Sequence, residues 1–220
     1  MSAAAPTSRS RVRRVPKRGA YDRATIDAIL DEALIAHVGF AVDDQPYVMP
    51  MLHARVGDRV YLHGSTASRL VRKLAAGVPA CLTVTLVDGI VLARSAFHHS
   101  MNYRSVVVLG EATLVEGPDE RAAALEAFTE KLLPGRWDEV RPPSAQELKG
   151  TRVVAVELRE ASAKVRSGGP VDEEEDYALP TWAGVVPLSL RRGEPEPDER
   201  LADGVAPSPA VTAWAAARGM

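Results

Sequence analysis

The amino-acid sequence predicts a mainly β protein with flanking helices, folded as a small antiparallel barrel. Through the middle of the chain, short segments rich in β-branched and aromatic residues alternate with turn residues, and few helical patterns separate them. Gly57-Asp58 and Asp88-Gly89 each lie between two such segments and predict hairpin turns. Because a chain of 220 residues can bury one substantial core, we expect a single domain.

The segment 46–74 combines a predicted hairpin, a polar turn and a predicted helix. Two strand-like stretches flank Gly57-Asp58 and lead into the sequence Gly64-Ser-Thr-Ala-Ser-Arg69. The spacing of the leucines that follow predicts a short amphipathic helix, which we expect to begin near Ser65 or Thr66.

This polar turn has the residue types of an anion-binding loop. The first turn of a helix offers unpaired backbone N–H groups and a partial positive charge. Ser65, Thr66 and Ser68 add hydroxyl donors, and the guanidinium of Arg69 can bind two phosphate oxygens at once. The same residues also fit a purely structural role, in which Ser65 or Thr66 caps the helix and Arg69 is a solvated surface residue.

Other elements follow from equally local patterns. A helix is predicted at 22–35 with Asp22 as its N-cap, and another at 120–133 with Pro118 near its start. Ser144 and Glu147 match a capping box for a short third helix. Strands are predicted at 37–42, 80–87, 90–95 and 151–158, the last of these being the final core strand, and a polar aromatic loop after Phe97 leads into a further long strand.

Composition excludes several classes of protein. No apolar run approaches the roughly twenty residues that span a bilayer, so no membrane segment is expected. The net charge of −2 argues against a general affinity for nucleic acid. Cys81 is the only cysteine, so the chain has no intrachain disulfide, and a reducing, cytoplasmic setting is expected.

The chain ends differ in composition from the middle. Residues 1–19 carry basic residues and no acidic ones, which predicts a disordered tail ahead of a domain at 20–188. Residues 189–220 are rich in Pro, Ala and charged residues and predict a second, mostly disordered tail with a short helix near 211–218. The run Asp172–Asp176 is expected to be a solvated acidic loop.

The adjacent pair His98-His99 invites a metal hypothesis. Neighbouring residues on an extended chain point to opposite faces, so the pair cannot chelate an ion by itself. We therefore expect no protein metal site.

Six segments of the chain resemble the pyridoxamine 5'-phosphate oxidase-like FMN-binding split-barrel superfamily. They are Pro46–Met51, Tyr61–Ser65, His99–Val106, Gly135–Asp138, Lys164–Gly168 and Trp182–Leu188. Within the superfamily, the chain is most similar to the flavin-nucleotide-binding group that includes the nitroimidazole-resistance reductases. The segments occur in the expected order and cover residues 20 to 188.

The resemblance implies an antiparallel split β-barrel that binds FMN. Ser65, Ser68 and Arg69 would hold the phosphate, and the backbone of residues 51–53 would contact the isoalloxazine edge. Amide and hydroxyl groups can bond the polar edge of the flavin ring, and a tyrosine face can stack on it. The cofactor-binding residues expected are Met51, Leu52, His53, His63, Ser65, Ser68, Arg69, Asn102, Tyr103, Arg104, Ser105, Lys164, Arg166 and Trp182.

The function expected is that of an FMN-dependent oxidoreductase that uses NAD(P)H to reduce a small nitro- or quinone-like acceptor. A small barrel with an open ligand face needs a partner to cover it, so we expect a homodimer. The match to the oxidase's own substrate-contacting segments is partial, which argues against pyridoxamine phosphate oxidation. Two alternatives stay open: a non-catalytic flavin-binding module, and a split barrel that binds deazaflavin or, given five histidines, haem.

Overall fold

The computed structural model describes residues 6–217, which form ten β-strands and five α-helices. The strands are β1 (Gly19–Ala20), β2 (Ile35–Val42), β3 (Gln45–Val56), β4 (Arg59–Ser65), β5 (Pro79–Leu92), β6 (Ser100–Glu111), β7 (Thr113–Leu114), β8 (Thr151–Glu157), β9 (Glu160–Arg166) and β10 (Gly184–Pro187). The helices are α1 (Arg23–Glu32), α2 (Arg69–Ala75), α3 (Pro118–Leu132), α4 (Ala145–Gly150) and α5 (Pro209–Ala216). Residues 1–5 and 218–220 of the two predicted tails lie outside the described residues.

The chain divides into two compact units. Among the described residues, the first comprises 6–50, 80–110 and 158–189, and the second comprises 51–79, 111–157 and 190–217. Every strand pairing with an assigned register is antiparallel. The mainly β architecture with flanking helices is therefore confirmed.

In the first unit the strands run in the order β1-β9-β6-β5-β2, and β10 pairs with β5. Gly19 of β1 lies opposite Lys164 of β9, and Tyr103 of β6 lies opposite Arg166 of β9. Helix α1 contacts β9. Asp22 caps this helix as predicted, because its carboxylate accepts the backbone N–H of Thr25 at 2.8 Å.

The second unit contains the order β3-β4-β8-β7. The hairpin predicted at Gly57-Asp58 joins β3 to β4, and Gly57 has the positive φ of 57° that such a turn favours. Ala124 and Phe128 of α3 are buried in a core cluster with Tyr61, Val153 and Ala155. The predicted helix at 120–133 and the capping box of Ser144 and Glu147 are both confirmed.

The hairpin predicted at Asp88-Gly89 is wrong, because β5 continues through both residues. Gly89 lies opposite Pro187 of β10, and a Cβ at this position would approach Cγ1 of Val185 to 3.0 Å. The glycine therefore permits close strand pairing where the sequence suggested a turn.

The helix start predicted at Ser65 or Thr66 is also wrong. Ser65 is the last residue of β4, opposite Thr151, and the backbone N–H of Thr66 donates to the carbonyl of Gly150 at 2.9 Å. These backbone contacts hold both residues outside the helix. Ser68 is the N-cap, and α2 begins at Arg69.

The strand at 151–158 is not the last core strand. β9 follows it and pairs with both β6 and β1. Gly168 and Gly169 come only after Arg166, and Gly168 has a φ of 98°. Lys164 and Arg166 therefore lie on a strand.

Two segments that the sequence assigned to solvent make specific contacts in the first unit. Asp172 of the acidic run is buried rather than solvated, because Arg94 binds its carboxylate. In the N-terminal segment, Thr7 and Arg9 both donate to the carboxylate of Glu160. Beyond β10, α5 is the terminal helix expected near 211–218, although it begins earlier, at Pro209.

Candidate functional site

The predicted anion-binding loop lies in the second unit, between β4 and α2. The hydroxyl oxygen of Ser65 accepts the backbone N–H of Ala67 at 3.2 Å, and that of Ser68 accepts the N–H of Val71 at 3.4 Å. Each hydroxyl still has its own proton to donate. The capping role that the sequence left open is thus filled by Ser68, and it is compatible with anion binding.

Gly64 allows this loop to lie close to the helix. A Cβ at this position would stand only 2.8 Å from Cγ2 of Val71, so a larger residue would push α2 away from β4. Arg69 is exposed at the first position of α2, beside the two serines. The loop therefore presents two hydroxyl donors and a guanidinium to solvent, a donor set that suits a phosphate group.

His53 and His63 also belong to the second unit, with Met51 and Leu52. His53 is 0% exposed, and its Nε2 lies 3.1 Å from Nζ of Lys131. An ammonium group has no acceptor, so the imidazole nitrogen accepts. The His53 side chain thus contacts the interior of its unit. Only the backbone of His53 is left for the predicted contact with the isoalloxazine edge.

His63 packs against an aromatic side chain of the same unit. Its ring and that of Phe128 meet edge to face, with centroids 4.4 Å apart. Burial lowers the pKa of His63, so the imidazole is neutral at pH 7.

In the first unit, two of the predicted residues contact each other. Arg166 donates to the side-chain oxygen of Asn102, while the Asn102 amide donates to the carbonyl of Gly168 at 3.1 Å. Arg166 also donates to the carbonyl of Gly169 at 3.3 Å. The predicted residues Asn102, Tyr103, Arg104 and Ser105 all lie on β6 rather than in the loop before it.

Arg104 is held by two carboxylates of its own unit. Its guanidinium binds Glu32 of α1 at 2.7 Å and Asp88 of β5 at 2.8 Å, and these bonds raise the pKa of Arg104 further above its usual range. The side chain links a helix to two strands. No local pattern revealed these partners, because they come from distant parts of the chain.

The other predicted residues of the first unit are spread along it. The hydroxyl of Ser105 donates to the carbonyl of Lys164 at 3.3 Å, and Tyr103 lies opposite Arg166. Trp182 is 66% exposed, and a Cβ at Gly184 would stand 2.9 Å from its ring. The structure thus brings together Asn102 with Arg166 and Ser105 with Lys164 in one unit, and the two serines with Arg69 in the other.

The segment before β6 carries two histidines with different surroundings. Nε2 of His98 lies 3.5 Å from the carboxylate of Glu173. Nδ1 of His99 lies 2.9 Å from the carbonyl of Ser95, and the His99 ring is exposed. Across residues 6–217, no group of three His, Cys, Asp or Glu side chains is placed to hold a metal ion.

Comparison with known proteins gives a family match and close structural relatives. The model of the pyridoxamine 5'-phosphate oxidase family matches residues 22–165. A comparison with curated proteins gave no match. Among the residues that the structure describes, no helix has both the length and the apolar character needed to cross a membrane.

Three solved structures illustrate the similarity. The flavocytochrome Anf3 from Azotobacter vinelandii is 43% identical, with a TM-score of 0.89 over 96% of this chain and 98% of its own. The FAD and haem binding protein from Mycobacterium smegmatis is 36% identical, with a TM-score of 0.87 over 92% of this chain and 98% of its own. A candidate 5-nitroimidazole antibiotic resistance protein from Bacteroides thetaiotaomicron shares the fold, at 23% identity and a TM-score of 0.57 over 67% of this chain and 86% of its own.

The family match covers more than half of the chain, and two relatives exceed 30% identity over nearly all of it. The chain therefore belongs to the pyridoxamine 5'-phosphate oxidase family, in the flavin-binding split-barrel superfamily that its six sequence segments predicted.

Proposed function

We propose that the protein is a redox protein that binds both a flavin and a haem. The observation that carries the proposal is the extent of the similarity to two relatives, one named as a flavocytochrome and the other as an FAD and haem binding protein. Both alignments cover more than nine-tenths of this chain and therefore include sequence on either side of the family match at 22–165.

The loop 64–69 is the candidate site for the flavin phosphate. Ser65 and Ser68 supply hydroxyl donors, and Arg69 supplies the guanidinium. The close approach that Gly64 permits keeps this donor set next to the start of α2. When bound, a flavin exchanges electrons one or two at a time, and the protein's part is to hold and orient it.

His99 is the candidate ligand for haem iron. Its Nδ1 is held by the carbonyl of Ser95, so Nδ1 carries the proton and the lone pair is on Nε2. A backbone carbonyl bonded to one ring nitrogen is the usual support for a histidine that ligates metal through the other. Phe97, two residues earlier in the chain, is 89% exposed and adds apolar surface to the same segment.

The other histidines are less suited to this role. His53 is fully buried with its Nε2 engaged by Lys131, and His63 is packed on Phe128. His98 presents its Nε2 to a carboxylate. His37 is exposed on β2 and serves as the control residue for His99.

The test is the visible spectrum of the purified protein, followed by release of the pigments and determination of their masses. We expect flavin absorption together with a Soret band. The mass of the released flavin decides between FAD and the FMN that the sequence analysis predicted. A protein that takes up flavin but no haem, even when haem is supplied, contradicts the proposal.

A second candidate is a flavin-only reductase, in which FMN passes electrons from NAD(P)H to a nitro- or quinone-like acceptor. The observation that favours it is that the loop 64–69 offers donors for one phosphate, which is what FMN carries. NADH and NADPH oxidation with nitro and quinone acceptors tests it. A haem-free flavoprotein without turnover would instead be a non-catalytic flavin-binding module.

A homodimer is part of the same proposal. The first unit leaves several large apolar side chains exposed, including Phe97 at 89%, Val171 at 73% and Trp182 at 66%. Exposed apolar surface of this kind is common at protein interfaces. Light scattering in solution is expected to give the mass of two chains.

A further inference from the structure

Arg166 is a buried cation that lacks a counter-charge within residues 6–217. Its side chain belongs to a residue that is 7% exposed. Its acceptors are the side-chain oxygen of Asn102 and the carbonyls of Gly168 and Gly169, all of them neutral. No carboxylate of the described residues forms an ion pair with it.

This arrangement differs from that of two half-buried arginines in the same unit. Arg104 binds both Glu32 and Asp88, and Arg94 binds Asp172, although both arginines are more exposed than Arg166. Burying a guanidinium is costly unless an anion accompanies it. The most buried of the three arginines is thus the one without an anion.

The N-terminal segment brings further positive charge to the same place. The pairing of Gly19 with Lys164, together with contacts between the turn Pro16–Arg18 and β9, places Arg18 near the end of β9. The pKa of Arg166 is lowered first by burial and then by the positive charge of Arg18. An anion between them would relieve both effects.

The loop after β9 leaves room for a ligand. A Cβ built at Gly168 or at Gly169 would meet no other atom within 4 Å, so solvent space adjoins the backbone that Arg166 contacts. The φ of 98° at Gly168 favours glycine, which keeps this approach open.

We propose that Arg18 and Arg166 form an anion site that binds a phosphate or carboxylate group of a bound cofactor. This deepens, and rests on, the proposed function. Two sources of the anion are consistent with it: a phosphate of FAD, and a propionate of haem. The role of Arg18 places part of the site in the segment that the sequence assigned to a tail.

The test compares Arg18→Gln with the matched control Arg14→Gln, which makes the same charge change at an exposed residue of the same segment. Protein stripped of cofactor is titrated with FAD, FMN, haem and the dimethyl ester of haem. Loss of one charge-assisted contact is expected to weaken binding about tenfold. A loss confined to FAD identifies the phosphate, and a loss confined to haem with free propionates identifies the carboxylate.

If Arg18→Gln binds each of the four ligands as tightly as Arg14→Gln does, the proposal is overturned. Arg18→Lys, which keeps the charge, is the reference if Arg18→Gln does not fold. If the wild type binds neither flavin nor haem, the proposed function fails, and inorganic diphosphate becomes the probe. If diphosphate raises the unfolding temperature of the wild type but not that of Arg18→Gln, the anion site is retained. If the unfolding temperatures of the two proteins with diphosphate are equal, the anion site is rejected.

Discussion

The carboxylate of Asp172 accepts hydrogen bonds from both the backbone N–H and the guanidinium of Arg94, at 3.0 and 3.1 Å. The Asp172 side chain is fully buried. Burial alone would raise the pKa of Asp172, but the hydrogen bonds from Arg94 outweigh it and the pKa is lowered. An ionised carboxylate therefore ties the loop after β9 to the end of β5.

Asp172→Asn is expected to destabilise the protein, because Arg94 would keep a partly buried charge without its carboxylate. The unfolding temperature should fall by several degrees. Glu175→Gln makes the same chemical change at an exposed residue of the same run and should leave it unchanged. Equal unfolding temperatures for the two variants would show that the Arg94 contact does not stabilise the fold.

Arg69→Gln is expected to weaken flavin binding about tenfold, since it removes the guanidinium from the loop 64–69. Arg72→Gln is the control, because Arg72 is exposed on the same helix but one turn further from the loop. Flavin fluorescence during titration measures the flavin affinity of both variants. If Arg72→Gln weakens binding as much as Arg69→Gln, the effect reflects the charge of the helix and the phosphate is held elsewhere.

His99→Gly is expected to abolish or shift the Soret band while flavin content stays unchanged. Added imidazole should restore the band, because it can occupy the space of the missing ligand. The control is His37→Gly, which removes an exposed imidazole from β2. If His99→Gly keeps the Soret band and the haem content of the wild type, His99 is ruled out as the iron ligand.

The stability of the second unit is expected to depend on pH through Glu120. Its carboxylate accepts hydrogen bonds from the hydroxyl of Tyr61 at 2.8 Å and from Arg59 at 2.6 Å, and these lower the pKa of Glu120. A carboxyl group whose pKa is lower in the folded state adds stability above its unfolded pKa, about 4.3. That stability is lost as the pH falls through the folded pKa.

Tyr61→Phe removes one of these hydrogen bonds. Because the Glu120 side chain is 37% exposed, solvent screens the interaction, and the free energy of unfolding should fall by about 0.5 kcal/mol at pH 7. Urea unfolding at a series of pH values should show this difference shrinking as the pH falls below about 4.3 and Glu120 is protonated. A difference independent of pH would assign the loss to packing of the ring.

The elements that were predicted correctly have their causes within a few residues. Asp22 and Thr25 contact across a single helical turn, Ser144 and Glu147 do the same, and Gly57 sits in its own hairpin. Each signal is local, so the sequence carries it without knowledge of the rest of the fold.

The errors arose where the deciding partner is distant in sequence. The backbone at Gly89 is set by β10, and the position of Thr66 is set by the carbonyl of Gly150. In the candidate site, the serines and Arg69 were predicted from their chemistry, but the partners of Arg104 were not. The proximity of Arg18 to Arg166 depends on a strand pairing that no local pattern reveals.

β1 is only two residues long, yet it is the outermost strand of the first unit and covers the side of β9 that does not face β6. Its loss would leave unpaired backbone N–H and C=O groups along β9, where another chain can add a strand. A truncation that begins after Ala20 would therefore favour aggregation during expression. Purification tags are better attached ahead of an intact N-terminal segment, and proteolysis within it should reduce solubility before it unfolds the sheet.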